Sequence, residues 1–494
     1  MSAWPAQREE KRLPAEHRIA ILAAAIALMT VASVTRADPD LWGHVRFGLD
    51  LLHSHRLTAV DPYSFTQDQP WLNHEWLSEL QMGLAFSVAG PLGLSLLKGA
   101  LALGSLLVLW SALKGMALEP KIVVVGAVVI GTVGITGTLR PQLWSLICLA
   151  TLCLILVRNT RGARACLPLL FLMWANLHGG WVVGLGSLVV WGAIDAFSRP
   201  ELRRHWAAVI GGSVIATLCT PYGWALWRFV WQTVQLVRPN IEEWQPLWTL
   251  PPHKWIPWLA AVATLVWAAR RPAPHRVHTI AVLGMLAYAS ARVARIVPLF
   301  VPATAILLGP ALIARWPSHA SGPVRSPRTD RIFSIFLLGI AVAGSVWIGS
   351  TTLHCVAIDV SRMPETAAAR LLASAMPGRL VTFFDWGEYA IWHFGPRLRV
   401  SMDGRRETVY TDRRLSEHDA ILFGSVRGFR TLEQWQAEYV WLPATSLATK
   451  EWLAGHGYRI EFSSPRSFIA VRDDLPRLSV PPGLIAVREG CFPG

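Results

Sequence analysis

The sequence predicts a polytopic α-helical membrane protein with about eleven transmembrane helices and a C-terminal α/β domain. Three observations carry that prediction. Of 494 residues, 53% are hydrophobic, and the mean hydropathy of +0.38 exceeds that of ordinary soluble domains. The apolar residues fall in successive runs rather than on amphipathic stripes. The net charge of +14 is spread through short loops between those runs, so it reads as membrane topology and excludes a nucleic-acid partner.

The apolar runs are Ile19–Val34, Pro91–Leu113, Ile122–Leu139, Leu143–Val157, Cys166–Leu177, Gly180–Phe197, Trp206–Leu218, Trp255–Ala268, His278–Ser290, Ile296–Ile313 and Ile332–Ser350. Several are shorter than the roughly 20 residues a straight span needs, and Cys166–Leu177 is open to a re-entrant reading. Arg8, Lys11, Arg12 and Arg18 at a cytoplasmic N-terminus and the inner loops together hold about nineteen Lys and Arg, against about nine outside. Trp42, Trp71, Trp76, Trp224, Trp227, Trp231, Trp255 and Trp258 stand at ends of apolar runs, as interface anchors do. Small residues around Ala37 leave a cleavable first segment open, with the same orientation either way. The expectation is a multi-pass protein of the bacterial inner membrane, with a transmembrane domain over 1–350, a long first outer loop over 35–80, and a periplasmic domain over 351–494.

Cys148, Cys153, Cys166 and Cys219 lie in apolar runs and read as packing residues. Cys355 and Cys491 stand at the two ends of the exported domain, where a disulfide between them is one of two open readings.

The first outer loop is the most informative segment. Asp38 and Asp40 follow the first run, and Asp40–Leu52 has helical amphipathic spacing through Leu41, Val45, Leu49 and Leu52. His44 lies on that helix. His74 and Glu75 precede Trp76–Val88, an expected interfacial helix. Under this topology Arg140, Asn176, His178, Tyr222, Glu242, Glu243, Arg292 and Arg295 all fall on the same outer side. Ionisable groups gathered at one end of a helical bundle mark a site by default. The competing reading makes Asp38 and Asp40 helix caps and the arginines interfacial anchors.

Carboxylates can deprotonate a hydroxyl or hold a divalent metal, and guanidinium forks match phosphate oxygens. The set therefore suits group transfer from a lipid-borne phosphate. Together with the strings DPDLWGH, WLNHEWLSE, RPQLWS, WANLHGG, TPYG, DWGEYAIWHF and MDGRRE, the layout resembles the GT-C superfamily of membrane glycosyltransferases. That superfamily includes protein mannosyltransferases, oligosaccharyltransferases and the lipid A aminoarabinose transferase. The resemblance implies a polyprenyl-phosphate-linked sugar as donor, membrane lipids around it, and an envelope lipid, glycan or protein as acceptor, with inversion at the sugar. It implies Asp38, Asp40, His74 and Glu75 as catalytic residues. It implies His44, Arg140, Asn176, His178, Tyr222, Glu242, Glu243, Arg292 and Arg295 as substrate-binding residues. It leaves open a divalent metal, Mg or Mn, with Asp40 and Glu75 as candidate ligands. The sequence departs from the better-known enzymes in lacking an adjacent Asp-Glu pair after the first span.

From Thr351 onward short β-like runs (Leu380–Phe384, Leu398–Met402, Tyr439–Leu442, Ile460–Ser463, Phe468–Val471) alternate with helical stretches. Here the dense pair of motifs DWGEYAIWHF and MDGRRE leaves two readings: Asp385, Glu388, Asp403, Arg405, Arg406 and Glu407 bind an acceptor or cover the membrane site, or Asp385 caps a helix from Gly387 and Asp403-Gly404 makes a turn with a salt-bridged arginine. A lipid or solute transporter, an envelope scaffold, and an O-antigen-ligase-like transferase with a pyrophosphate-linked donor are the alternative functions.

Overall fold

A computed structural model describes residues 34–235, 238, 241–317, 327–480 and 490–494. The first apolar run ends at the edge of these residues, so the expected first span and the cytoplasmic N-terminus lie outside them.

The chain enters through a short strand, β1 (Arg36–Ala37), and turns into α1 (Leu41–Ser54). α1 buries Leu41 and Val45 of the expected stripe, with Leu49 and Leu52 half-buried, and also buries Trp42, Gly43 and Phe47 beyond that stripe, because it is packed on more than one side. It crosses the next helix, α2 (Trp76–Ala112), at Gly48 and Gly83. A Cβ on either glycine would strike backbone of the other helix, so only glycine permits this approach. α2 is broken at Ala89 and Gly90, where Gly90 has φ 57° and Pro91 lacks the N–H to continue the ladder. The expected interfacial piece and the expected span are thus the two halves of one kinked element.

Each further apolar run forms a helix: α3 (Leu118–Thr136), α4 (Gln142–Arg158), α5 (Leu167–Leu177), α6 (Trp181–Ser198), α7 (Arg203–Leu218), α8 (Trp224–Gln235), α9 (Ile256–Ala269), α10 (Arg276–Arg292), α11 (Val297–Leu307), α12 (Gly309–Arg315) and α13 (Pro327–Thr352). Of these α8 was not expected. It mixes Trp, Arg and Gln and buries only Leu226, so no apolar run marks it. Among the described residues, two helices, α2 and α6, are long and apolar enough to cross a membrane. The pair Ala294–Leu307 and Gly309–Arg315, bent by 52°, makes up to three. The difference from eleven is one of length, since the other apolar helices (Pro120–Thr136, Gln142–Arg158, Leu167–Leu177, Leu338–Thr352) run only 10–17 residues.

Beyond α13 the chain forms β2 (Ala357–Ile358), α14 (Thr366–Leu372), β3 (Gly378–Thr382), α15 (Gly387–Phe394), β4 (Leu398–Val400), α16 (Asp412–Leu422), α17 (Val426–Trp435), β5 (Tyr439–Pro443), α18 (Leu447–Ala454), β6 (Tyr458–Ser463) and β7 (Ser467–Arg472). β3 to β7 make a five-stranded sheet in the order β4-β3-β5-β7-β6. β4, β3 and β5 run parallel, and β7 pairs antiparallel with both β5 and β6. Val381, Val440, Leu442, Phe468 and Ala470 fill one side of the sheet with Ile421, Leu432 and Leu453.

This unit is sewn to the first loop. β1 pairs in parallel with β2, Phe65 N–H donates to Val400 O at 3.1 Å, and Val400 N–H donates to Tyr63 O at 2.8 Å. Cys355 and Cys491 form a disulfide, with Cα atoms 5.1 Å apart. The bridge holds the tail so that Trp42 Nε1 donates to Pro493 O at 2.6 Å and Phe492 packs on Trp42 and Phe86.

The disulfide closes a separation of 136 residues, which by chain entropy stabilises the folded state by about 5 kcal/mol. Reductant is expected to lower the thermal unfolding midpoint of the purified protein by several degrees. The double variant Cys355→Ser/Cys491→Ser should show the lower midpoint with or without reductant, and equal midpoints throughout would contradict this.

Candidate functional site

Asp40 occupies the N-cap position of α1, yet its side chain makes no capping hydrogen bond. Its carboxylate turns instead to Arg140, which sits in the coil between α3 and α4. Arg140 forms an ion pair with Asp38 through Nε, with Asp40 at 3.2 Å, and more loosely with Glu243 at 3.6 Å. Glu243 stands on the one-turn helix Glu242–Trp244, and Arg295 on the turn Ala294–Ile296 between α10 and α11. Arg295 Nη1 reaches Glu243 at 2.9 Å. With the Gln142 amide turned so that its oxygen faces Arg295, Nε also donates to it at 2.9 Å. The Trp244 ring lies 5.4 Å from the Arg295 guanidinium and 3.9 Å from that of Arg238. Burial pushes the Asp40 carboxyl up to about 6; His44 and Arg295 oppose the rise, and Glu243 and Asp385 add to it.

A second group adjoins it. Ser145 Oγ accepts from Trp174 Nε1 at 2.7 Å, so its own proton points to His178 Nδ1 at 2.6 Å. The Gly180 N–H also donates to that nitrogen at 3.0 Å. With Nδ1 an acceptor, a neutral His178 carries its proton on Nε2, which faces Glu75 at 3.6 Å. Burial drives His178 down to about 3. Burial would raise Glu75, but His74 at 3.7 Å, with His178 and His44, holds it below the usual carboxylate value. The His74 ring rests on Phe229 of α8 at 4.9 Å. His44 Nδ1 meets Glu79 at 3.0 Å, and Glu79 also accepts from Asn73. Burial works against the charge on His44, yet Glu79, Glu75 and Glu388 hold it up to about 10.

The C-terminal unit closes this site, one of the two readings the sequence left open for Asp385, Glu388 and Asp403. Glu388 on α15 is 3% exposed, and its Oε2 accepts the Gly43 N–H of α1 at 3.1 Å. The carboxyls of Asp40 and Glu388 both lie against Cα of Gly404, where a Cβ would collide with each. Burial raises Glu388 well above its ordinary value, helped by Asp40 and Asp403. Asp385 does not cap α15, whose N-cap position is Trp386; it lies on the turn Phe384–Trp386. It is raised by burial and opposed by Arg362 and Arg140. The expected Asp403-Gly404 turn is present and does more than turn. Arg405 grips Asp403 at 2.9 and 2.7 Å and both oxygens of Asp61 at 2.8 and 2.7 Å, while Tyr410 donates to Asp403 at 2.6 Å. Its guanidinium also lies 4.8 Å from the Phe47 ring and 4.7 Å from Trp71. Asp61, Phe47 and Trp71 lie hundreds of residues from Arg405, so no spacing announces those contacts, whereas Asp403 and Tyr410 are its near neighbours in the chain.

Other expected site residues take different places. Asn176 accepts from Trp76 Nε1 at 3.0 Å and donates to Leu172 O and Cys219 O, and Tyr222 Oη accepts the Asn73 N–H at 3.0 Å; both fasten the second group from behind. Glu242 is exposed and pairs with Lys254 at 2.7 Å. Arg292 faces Trp248 at 5.7 Å and pairs with no carboxylate among the described residues. Asp40 and Glu75, the candidate metal ligands, belong to no group of three potential ligands among the described residues. Asp195, His275 and His278 form one within 4.8 Å among the described residues, at the opposite end of α6 from His178. The Asp195 carboxylate is already engaged by Arg199, His278 at 2.8 Å, Trp206 at 3.1 Å and Arg164 at 3.7 Å. It ties helix ends together.

No protein-family model and no curated protein matches the sequence. Solved structures do match the fold. The oligosaccharyltransferase AglB of Archaeoglobus fulgidus, in complex with an inhibitory peptide and a dolichol-phosphate, is 10% identical with TM-score 0.53, over 93% of this chain and 75% of that one. ArnT from Cupriavidus metallidurans, bound to undecaprenyl phosphate, is 13% identical with TM-score 0.51, over 92% and 97%. Mycobacterial arabinofuranosyltransferase AftD is 17% identical with TM-score 0.54, over 92% of this chain but 40% of its own. The chain is an α-helical membrane protein with a GT-C-like fold.

Asp61→Asn removes one of the two carboxylate charges paired with the buried Arg405 and turns one acceptor oxygen into a donor, which should cost about 3 kcal/mol. The expected readout is a thermal midpoint in detergent several degrees lower. An unchanged midpoint would show that this ion pair does not hold the first loop to the C-terminal unit.

Proposed function

We propose that this protein is a membrane glycosyltransferase that moves a sugar from a polyprenyl-phosphate donor to an envelope lipid, glycan or protein acceptor. The carrying observation is that Asp40, free of any capping role, meets the guanidinium of Arg140, which Glu243 links to that of Arg295 at one end of the helical bundle. The GT-C-like fold supports the class, and the undecaprenyl phosphate bound by ArnT and the dolichol-phosphate bound by AglB support the donor.

In this reading Asp40 takes the proton of the acceptor hydroxyl. The hydroxyl oxygen attacks the anomeric carbon from the face opposite the phosphate, the bond from that carbon to the phosphate oxygen breaks, and the sugar inverts. The lipid phosphate leaves with the electron pair, held by the forks of Arg140 and Arg295. Glu75, kept ionised by its histidines, and His178, kept neutral with its proton on Nε2, orient the acceptor. A divalent metal does not fit this donor set as arranged: Arg140 already occupies the space between Asp38 and Asp40 that a cation would need. The reading places the N-terminus in the cytoplasm of a bacterium, about eleven spans in the inner membrane, and both the site and the unit beyond residue 350 on the periplasmic side. The lysine and arginine bias of the loops supports that orientation.

The test is sugar transfer by purified protein in nanodiscs, offered polyprenyl-phosphate and polyprenyl-pyrophosphate sugars with membrane extract as acceptor. Transfer should come from the monophosphate donors, fall as pH drops below about 6 as Asp40 protonates, and decrease about 10²- to 10⁴-fold in Asp40→Asn. A fully active Asp40→Asn would remove the base. No transfer from any donor by folded protein would favour a lipid or solute transporter.

A further inference from the structure

An aspartate at an N-cap ordinarily accepts the backbone N–H two or three residues on, because the first turn of a helix leaves its donors unpaired. Asp40 stands at that position of α1, and Gly43 is the residue whose N–H it would take. It does not take it. The Gly43 N–H goes instead to Oε2 of Glu388 at 3.1 Å, from α15 of the C-terminal unit, 345 residues away. Room for this exchange is built in on both sides, since a Cβ on Gly43 would overlap the Glu388 carboxyl and one on Gly404 would overlap both Glu388 and Asp40. The remaining first-turn bonds are ordinary: Leu41 N–H donates to Asp38 O at 3.2 Å, and His44 N–H to Asp40 O at 3.0 Å.

We infer that Glu388 is a positioning residue that caps α1 in place of Asp40, and so releases the Asp40 carboxylate toward Arg140 and the acceptor. The C-terminal unit thereby decides whether the base is available. On this inference, removing Glu388 lets the Asp40 carboxyl, which shares the Gly404 surface with it, turn to the Gly43 N–H, and a carboxylate turned back onto its own helix can neither meet Arg140 nor take a proton from an acceptor. The role needs a hydrogen-bond acceptor of the right length and no charge, which separates it from an acid, a base or a metal ligand at the same place.

The inference rests on the glycosyltransferase reading only for its kinetic arm. In transfer assays Glu388→Gln, whose amide oxygen can accept the same N–H, should keep kcat within about threefold. Glu388→Ala should lose about tenfold to a hundredfold in kcat with donor KM unchanged. A Gln variant as impaired as the Ala variant, or a fully active Ala variant, overturns the inference. The second arm needs no substrate. In the wild-type background Asp40→Ala should not lower the thermal midpoint through loss of a cap, whereas in the Glu388→Ala background, where Asp40 has taken over the cap, it should lower it by a few degrees. Additive midpoints would overturn the inference even if transfer is found. A coupled pair of midpoints with no transfer from any donor would leave the cap standing and remove the enzymatic reading.

Discussion

Arg405 sits where two parts of the chain remote in sequence have to stay in register. Its guanidinium spends its donors on Asp61 from the first loop and Asp403 from the C-terminal unit, between the rings of Phe47 and Trp71. A charge so buried is tolerable only when fully paired, which makes the contact intolerant of sliding. Because Asp403 precedes Gly404 and Phe47 lies one turn beyond Gly43, fixing Arg405 also fixes the distance between α1 and the turn that covers it. The meeting of Asp40, Glu388 and Gly404 depends on that registration. The β1–β2 pair and the Cys355–Cys491 bridge hold the same two parts at their other edge.

Within the frame so fixed, the site carries more acid than base. Asp38, Asp40, Glu243, Asp385 and Glu388 gather around the guanidiniums of Arg140 and Arg295, and they cannot all stay ionised in a buried place. The imbalance is relieved by raising Asp40, Asp385 and Glu388. An anion entering such a site competes most easily for the loosest partner, and that is the 3.6 Å contact between Arg140 and Glu243. The neighbouring His178 and Glu75 stay apart from this competition because the Ser145–Trp174 chain and Gly180 set the tautomer independently.

Much of the helical framework was legible because apolar runs are a local signal: the helices α3 to α7 and α9 to α13 fall where the hydropathy placed them, and the kink at Gly90-Pro91 separates the two pieces that the sequence distinguished. The amphipathic α1 was legible from Leu41, Val45 and Leu49. The sheet strands showed in their alternation, but not their order, since β4-β3-β5-β7-β6 depends on crossovers. The aromatic, polar α8 carried no run at all. At the site, Asp38, Asp40, Arg140, Glu243 and Arg295 could be grouped by membrane side alone, and the structure joins them in one ion-pair network. Glu388 stood out only as part of a dense motif that could cover the site, and its bond to Gly43 was not legible because Gly43 offers only a backbone N–H. Glu242, one residue from Glu243, shows the limit of side assignment, for its carboxylate goes to Lys254.

The central claim is that Arg140 and Arg295 form a seat for a lipid-borne phosphate beside Asp40. Native mass spectrometry of the purified protein titrated with undecaprenyl phosphate tests it most directly. The account predicts one saturable lipid on the wild-type protein, lost in Arg140→Ala/Arg295→Ala and retained in Arg292→Ala, whose side chain lies outside the network. Equal retention by all three proteins, or no specific retention by the wild type, would contradict it.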